Sequence, residues 1–181
     1  MTAQSGHIIV ISPIGEIDTK LLRPVSNKIL NTFGCQTEVI SDIIDIDFAF
    51  DPDRNQYNST LILEKLADAA PSQTLKLLAI TNADLFIPIL TYVYGEAQLD
   101  GKTSIISTCR LNEGFSSLCD EDTFQQRVVK EAIHELGHTF NLRHCNDKAC
   151  IMHYCRSIND VDGKSDQLCR YCTILLKDKM E

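Results

Sequence analysis

Three histidines and a cysteine within one short stretch constrain this chain more than anything else in it. His134-Glu-Leu-Gly-His138 is followed by His144 and Cys145. Residues four apart on a helix are neighbours on one face, so a helix points His134 and His138 the same way. His144 falls off that face, and the chain must turn sharply to bring it back. Asn141 lies where that turn must fall. Asn enters the left-handed backbone region more readily than most residues with a Cβ. The fold therefore has to end a helix near Asn141 and reverse. Three of the five histidines share this spacing, which an ordinary surface helix does not require.

Neutral imidazoles suit zinc, and three protein ligands leave a fourth position open for water. Glu135 stands beside the first ligand, where a zinc hydrolase keeps its general base. The expected chemistry is hydrolysis. Zinc polarises the scissile carbonyl and lowers the pKa of bound water from about 15.7 toward about 7. Glu135 takes the water's proton and delivers it to the leaving amine.

The cysteines point to a second metal. The chain has eight, with Cys35, Cys109 and Cys119 scattered and five crowded between Cys145 and Cys172. The segment Met1-Thr-Ala-Gln-Ser-Gly6 has neither a basic stretch nor an apolar signal core, so a cytoplasmic location is expected. A reducing compartment favours metal thiolates over disulfides. Cys145, Cys150 and the pair Cys169-Arg-Tyr-Cys172 supply four thiolates, the closed set of a structural zinc site. Cys155 is left over as a buried or free thiol, and its exchange with Cys150 as a ligand stays open. Because His144 and Cys145 are adjacent, the two metals share one loop. The structural zinc is expected to fix that loop for the catalytic one.

The chain's 181 residues suit one domain, with an α/β part over 1–144 and a Cys-rich part over 145–181. A net charge of −8 argues against nucleic acid, and against a zinc-ribbon reading of Cys145 to Cys172. No apolar run reaches the roughly eighteen residues of a membrane span. A monomer acting on peptides or proteins is expected. The alternative is a non-catalytic zinc protein that binds peptides through an edge strand, and the intact Glu135 favours the enzyme.

The pattern along the chain predicts a mixed α/β fold. His7 to Ser12 reads as a buried strand, Pro13-Ile-Gly15 as a turn, and residues 16–33 as a helix closed by Gly34. Cys35 to Ile40 is a second strand, giving a parallel pair. Residues 42–53 alternate Asp with apolar residues and read as a half-exposed strand or loop with an acidic edge, rather than a calcium site. Ser59 is expected to cap a helix to Ala69, and Leu75 to Ile80 is a third strand. Tyr92–Leu99, Asp100-Gly101 and Lys102–Leu111 read as a hairpin whose polar residues suit an exposed edge. Such an edge could pair with a peptide or simply end the sheet. Asp120-Glu-Asp122 opens a long helix to Asn141 with an apolar stripe through Phe124, Val128, Ala132 and Leu136. After His144 the chain reads as loop until a last helix near Cys172 to Lys179.

With these motifs in place the chain resembles the archaemetzincins, a metzincin-clan family of zinc metallopeptidases. Their pattern is H-E-x-x-H-x-x-G-x-x-H-C, four residues, C-x-M, a spacer and C-x-x-C. Here it reads His134-Glu-Leu-Gly-His138-Thr-Phe-Asn-Leu-Arg-His144-Cys145, then Cys150-Ile-Met152 and Cys169-x-x-Cys172. Ser12-Pro-Ile-Gly15, Arg54-Asn-Gln-Tyr57, Gly95-Glu-Ala97 and Thr108-Cys-Arg-Leu111 extend the likeness. The resemblance implies a zincin-like fold: a twisted mixed sheet with an antiparallel edge strand, an active-site helix and a small zinc-stapled C-terminal part. It implies two zinc ions per chain, held by the ligand sets above, with Glu135 as base and Met152 as the Met-turn methionine beneath the catalytic metal. Asn141 replaces the family glycine, and the spacer after Met152 is one residue short. Tyr154, two after Met152, matches an oxyanion-stabilising tyrosine of astacin-like metzincins, or is simply a packed tyrosine.

Overall fold

The computed structural model describes residues 8–113 and 120–180; His7, Cys119 and the N-terminal segment lie outside them. The elements run β1 (Ile8–Ile14), α1 (Leu22–Phe33), β2 (Gln36–Val39), β3 (Phe50–Asp51), β4 (Gln56–Asn58), α2 (Ser59–Ala69) and β5 (Thr74–Thr81). They continue with β6 (Leu85–Phe86), β7 (Gly95–Ala97), β8 (Thr103–Ser107), α3 (Glu121–Thr139), α4 (Ile158–Gly163) and α5 (Arg170–Met180).

The main sheet has the order β2-β1-β5-β8-β7. The first four strands are parallel and β7 pairs antiparallel with β8, which makes it the antiparallel edge the pattern called for. Parallel strands are covered on both faces, and successive side chains alternate between them. Val10, Leu77, Ala79 and Ile105 pack on one face against Ile62, Leu63 and Leu66 of α2. Ile9, Ile11, Leu78, Ile80 and Ile106 pack on the other, against Val25 and Ile29 of α1 and Val128, Ala132 and Leu136 of α3. The long helix is thus pinned to the sheet by its apolar stripe. Its polar side, carrying Glu131 and Glu135, turns toward β7 and the cleft.

Several local expectations need correction. Pro13 and Ile14 extend β1, because a residue without an N–H is tolerated at a strand end; the turn comes at Gly15, with φ 76°. The first helix begins at Leu22, after a short 3-10 turn over Thr19–Leu21 capped by Asp18. Asn58, not Ser59, caps α2: its Oδ1 accepts from the N–H groups of Thr60 and Leu61. The aspartates of 42–53 serve as loop caps. Asp42 Oδ1 accepts from Gly15 N, Asp45 Oδ1 from Asp47 N, and Asp51 Oδ1 from Asp53 N. They form no metal-ligand group among the described residues.

The hairpin is shorter than its sequence signal, pairing only Gly95–Ala97 with Ser104–Ile106. Its polar residues are not at an edge, since β8 is fully buried. Each hydroxyl finds a backbone carbonyl: Thr103 donates to Leu63, Ser104 to Leu77, Ser107 to Ala83 and Thr108 to Thr81. Hydrogen-bonded hydroxyls are the form in which polar groups survive burial. Helix α3 stops at Thr139, two residues before the expected end. Helix α4 lies in the stretch read as loop, and Asp160 boxes its N-terminus with Ser157. The last helix starts at Arg170, two residues early.

Candidate metal centre

Asn141 takes the left-handed conformation, with φ 64°. The N–H groups of Asn141 and Leu142 donate back to the carbonyls of His138 and Gly137, closing the helix and reversing the chain. His144 returns to the helix face as a result. Its ring lies 5.4 Å from that of His134 and 4.9 Å from that of His138, centroid to centroid. The ring nitrogens of the three histidines come within 4.8 Å of one another.

The donor set fits a divalent metal. His134 Nδ1 is 2.8 Å from the Ile151 carbonyl and His138 Nδ1 is 2.7 Å from the Leu142 carbonyl. Each carbonyl fixes the proton on Nδ1 and leaves Nε2 as the lone-pair donor. Those two Nε2 atoms face each other at 3.2 Å. Burial keeps the rings in the neutral form that ligates. It pulls His134 well below its usual pKa, assisted by Lys164, and takes His138 down to about 4. His144, the exposed member, is lowered less strongly, again by burial first.

Glu135 is buried on the same helix. Burial, then repulsion from Glu131, pushes its carboxyl well above the usual range, and Lys164 pulls against them. Gly95 of β7 sits against it. A Cβ there would lie 2.7 Å from Glu135 Cγ and 2.7 Å from the Ile105 carbonyl oxygen, so only glycine lets the edge strand come this close. Below the histidines, Met152 packs under α3. A Cβ on Gly137 would lie 2.5 Å from Met152 Sδ. The rings of Tyr154 and His144 are 4.9 Å apart, with Tyr154 half-exposed at the cleft. The cleft has a volume of about 840 Å³.

The sulfurs of Cys145, Cys150, Cys169 and Cys172 also converge within 4.8 Å of one another. Cys145 Sγ and Cys169 Sγ are 3.8 Å apart, and the N–H of Cys169 points at Cys150 Sγ. Burial raises Cys150 and Cys172. Burial also opposes the Cys169 thiolate, yet the Cys172 N–H and the neighbouring thiols outweigh it and lower that pKa. Four sulfurs with these contacts suit one tetrahedral ion. Cys155 stands outside the group, its thiol 3.6 Å from the His153 carbonyl oxygen and its pKa pushed up to about 11 by burial. The exchange with Cys150 therefore finds no geometric support. The two clusters meet through backbone: Cys145 N–H donates to the Met152 carbonyl at 2.9 Å.

Sequence reasoning missed an ion pair behind the histidines. Lys164 Nζ lies 2.8 Å from Glu131 Oε1, with both side chains buried, and 3.5 Å from His134 Nδ1. Glu131 precedes Glu135 by one helical turn, a spacing visible in the sequence. Lys164 carried no signal, since it ends a helix that was not expected.

Residues 46–178 match the family model for Peptidase family M54. The archaemetzincin of Methanocaldococcus jannaschii is 37% identical over 172 residues, covering 94% of this chain and 93% of that one. The crystal structure of the Methanopyrus kandleri archaemetzincin superposes with a TM-score of 0.86 at 29% identity, covering 98% of this chain and 97% of the other. A zinc-dependent peptidase from Methanocorpusculum labreanum gives 0.83 at 30% identity, covering 93% and 99%. Matched in sequence and in fold along nearly its whole length, the chain belongs to Peptidase family M54, the archaemetzincins.

Proposed function

We propose that this chain hydrolyses peptide bonds in the cleft over α3, with Glu135 moving the proton beside three zinc-ligating histidines. Its family makes it a zinc metallopeptidase. The observation that carries the residue assignment is the convergence of three neutral imidazoles next to a buried carboxylate in an open cleft. His134, His138 and His144 hold the catalytic zinc. Cys145, Cys150, Cys169 and Cys172 hold a second, structural zinc, for two per chain. When bound, zinc supplies Lewis-acid polarisation of the scissile carbonyl and of water.

The chain's own groups do the rest. Glu135 accepts a proton from the attacking water and returns it to the leaving amine, a transfer typically worth about 10²–10⁴ in rate. Gly95 lets β7 pack on Glu135, which fixes the carboxylate's direction. Tyr154, half-exposed beside His144, is placed to donate to the oxygen on which charge develops. Met152 supports the histidines from below as the Met-turn residue, and Asn141 supplies the turn. We read 1–181 as one catalytic domain with 145–181 as its zinc-stapled part. We read it as a cytoplasmic monomer, and the acidic net charge supports a protein that does not bind nucleic acid. No described helix is long and apolar enough to cross a membrane.

Metal analysis beside peptide cleavage tests the reading. Two zinc per chain and cleavage that vanishes in Glu135→Gln are expected. Two zinc with no cleavage of any peptide mixture would instead favour a peptide-binding protein that uses the β7 edge.

A further inference from the structure

Three runs of chain line the cleft: 87–99, 131–138 and 143–156. Its carboxylates are all engaged. Glu96 accepts from Ser59 Oγ at 2.5 Å and from Thr60 Oγ1 at 2.9 Å, at the N-terminus of α2. Glu131 pairs with the buried Lys164. Glu135 is packed against Gly95. The cations differ. Arg143 and Arg156 are exposed in the lining, in a chain whose net charge is −8. Neither guanidinium has an ion-pair or hydrogen-bond partner among the described residues. The two flank one aromatic contact. Arg143 precedes His144, the His144 ring meets Tyr154 at 4.9 Å with the rings tilted by 50°, and Arg156 Cζ lies 5.9 Å from the centre of the Tyr154 ring.

We infer that Arg143 and Arg156 select a peptide carboxylate, so that the cleft prefers peptides with an Asp or Glu side chain, or a free C-terminus, close to the bond that is cut. This rests on the reading of the cleft as a peptide site. A guanidinium presents a planar fork of N–H donors that matches a carboxylate, and the match is lost on an amide. The arginines stand next to His144 and Tyr154, so the carboxylate they hold lies within a residue or two of the reacting carbonyl. The chain's net charge of −8 disfavours anionic peptides, which leaves these two side chains as the source of any acidic preference.

The test uses the zinc-loaded protein and pairs of peptide mixtures that differ only in Glu against Gln at one position. A further pair differs in a free against an amidated C-terminus. Binding is read by fluorescence anisotropy on the Glu135→Gln variant, and kcat/KM on the unaltered chain. A preference of about fivefold per exposed charge pair is expected for the Glu or free-carboxylate member, shrinking with added salt. R143Q/R156Q should bring each pair to equality. The arm that responds tells side chain from C-terminus. Acidic preference in binding without any cleavage would support this inference while overturning the hydrolytic one. Cleavage without preference, no binding in any arm, or a preference that persists in R143Q/R156Q would overturn it.

Discussion

At Glu135 burial opposes charge, and the site depends on how that conflict is settled. The carboxyl is pushed up by burial and by Glu131, yet a proton acceptor must be ionised. A zinc ion held by the neighbouring histidines would reverse the balance, which would be the electrostatic reason for placing a base one residue from a ligand. Glu135→Gln keeps the shape and removes the proton acceptor. Zinc content should stay unchanged while turnover falls by at least about 10²-fold. Retained turnover would remove the assignment. Asn141 is tested differently. Its φ of 64° suits glycine as well as asparagine but opposes a branched side chain. Asn141→Gly should leave thermal stability and zinc content nearly unchanged. Asn141→Val should destabilise by about 1–2 kcal/mol, the usual cost of left-handed backbone, with His144 released from the trio.

Among the elements, the connection between α3 and α4 is where sequence and structure part most clearly. The long helix was legible because its stripe repeats at helical spacing and acidic residues mark its start. The histidine turn was legible because ligand geometry requires it. The buried hydroxyls of β8 were not, since a Thr or Ser that donates to a carbonyl looks the same in sequence as one facing water. Nor was α4, six residues long and tied down by long-range contacts rather than by periodicity. One such contact is Arg127 with Asp162, where two side-chain bonds of 2.7 and 2.6 Å join the helices. The Arg127 guanidinium holds the Asp162 carboxyl below its usual range. A lowered carboxylate pKa gives stability that is present above the unfolded value near 3.9 and is lost as pH falls through the folded one. Asp162→Asn should lower the melting temperature at neutral pH and leave a smaller acid-induced loss below about pH 4. Equal acid sensitivity in both proteins would refute the link. Between α3 and the Met152 loop the packing is tighter. Gly137→Ala must push Met152 aside and should cost about 1–3 kcal/mol in thermal denaturation.

For the whole molecule, the two metal-ligand groups are one construction. The Cys145–Met152 backbone bond and the bridge between Cys145 and His153 join them. Cys169→Ser removes a sulfur that is no part of the histidine trio. The variant should nonetheless lose zinc from both groups, because the loop holding His144 and Met152 loses its anchor. Full occupancy at the histidines, measured by metal analysis with a thiol-blocked control, would show the groups to be independent. The sheet and the convergence of the three histidines could be foreseen from the sequence because they follow from short-range periodicity and ligand chemistry. The ion pair of Lys164 with Glu131 could not, since it depends on where a distant segment comes to rest.

That shared loop also orders events in time. Cys169 follows His144 by 25 residues, so a ribosome completes the trio's own segment well before the last two of the four sulfurs exist. During that interval the nascent chain carries the histidines and the carboxylate without the scaffold that aligns them. On that reading the three histidines are made before they can be aligned, and alignment waits for Cys169 and Cys172.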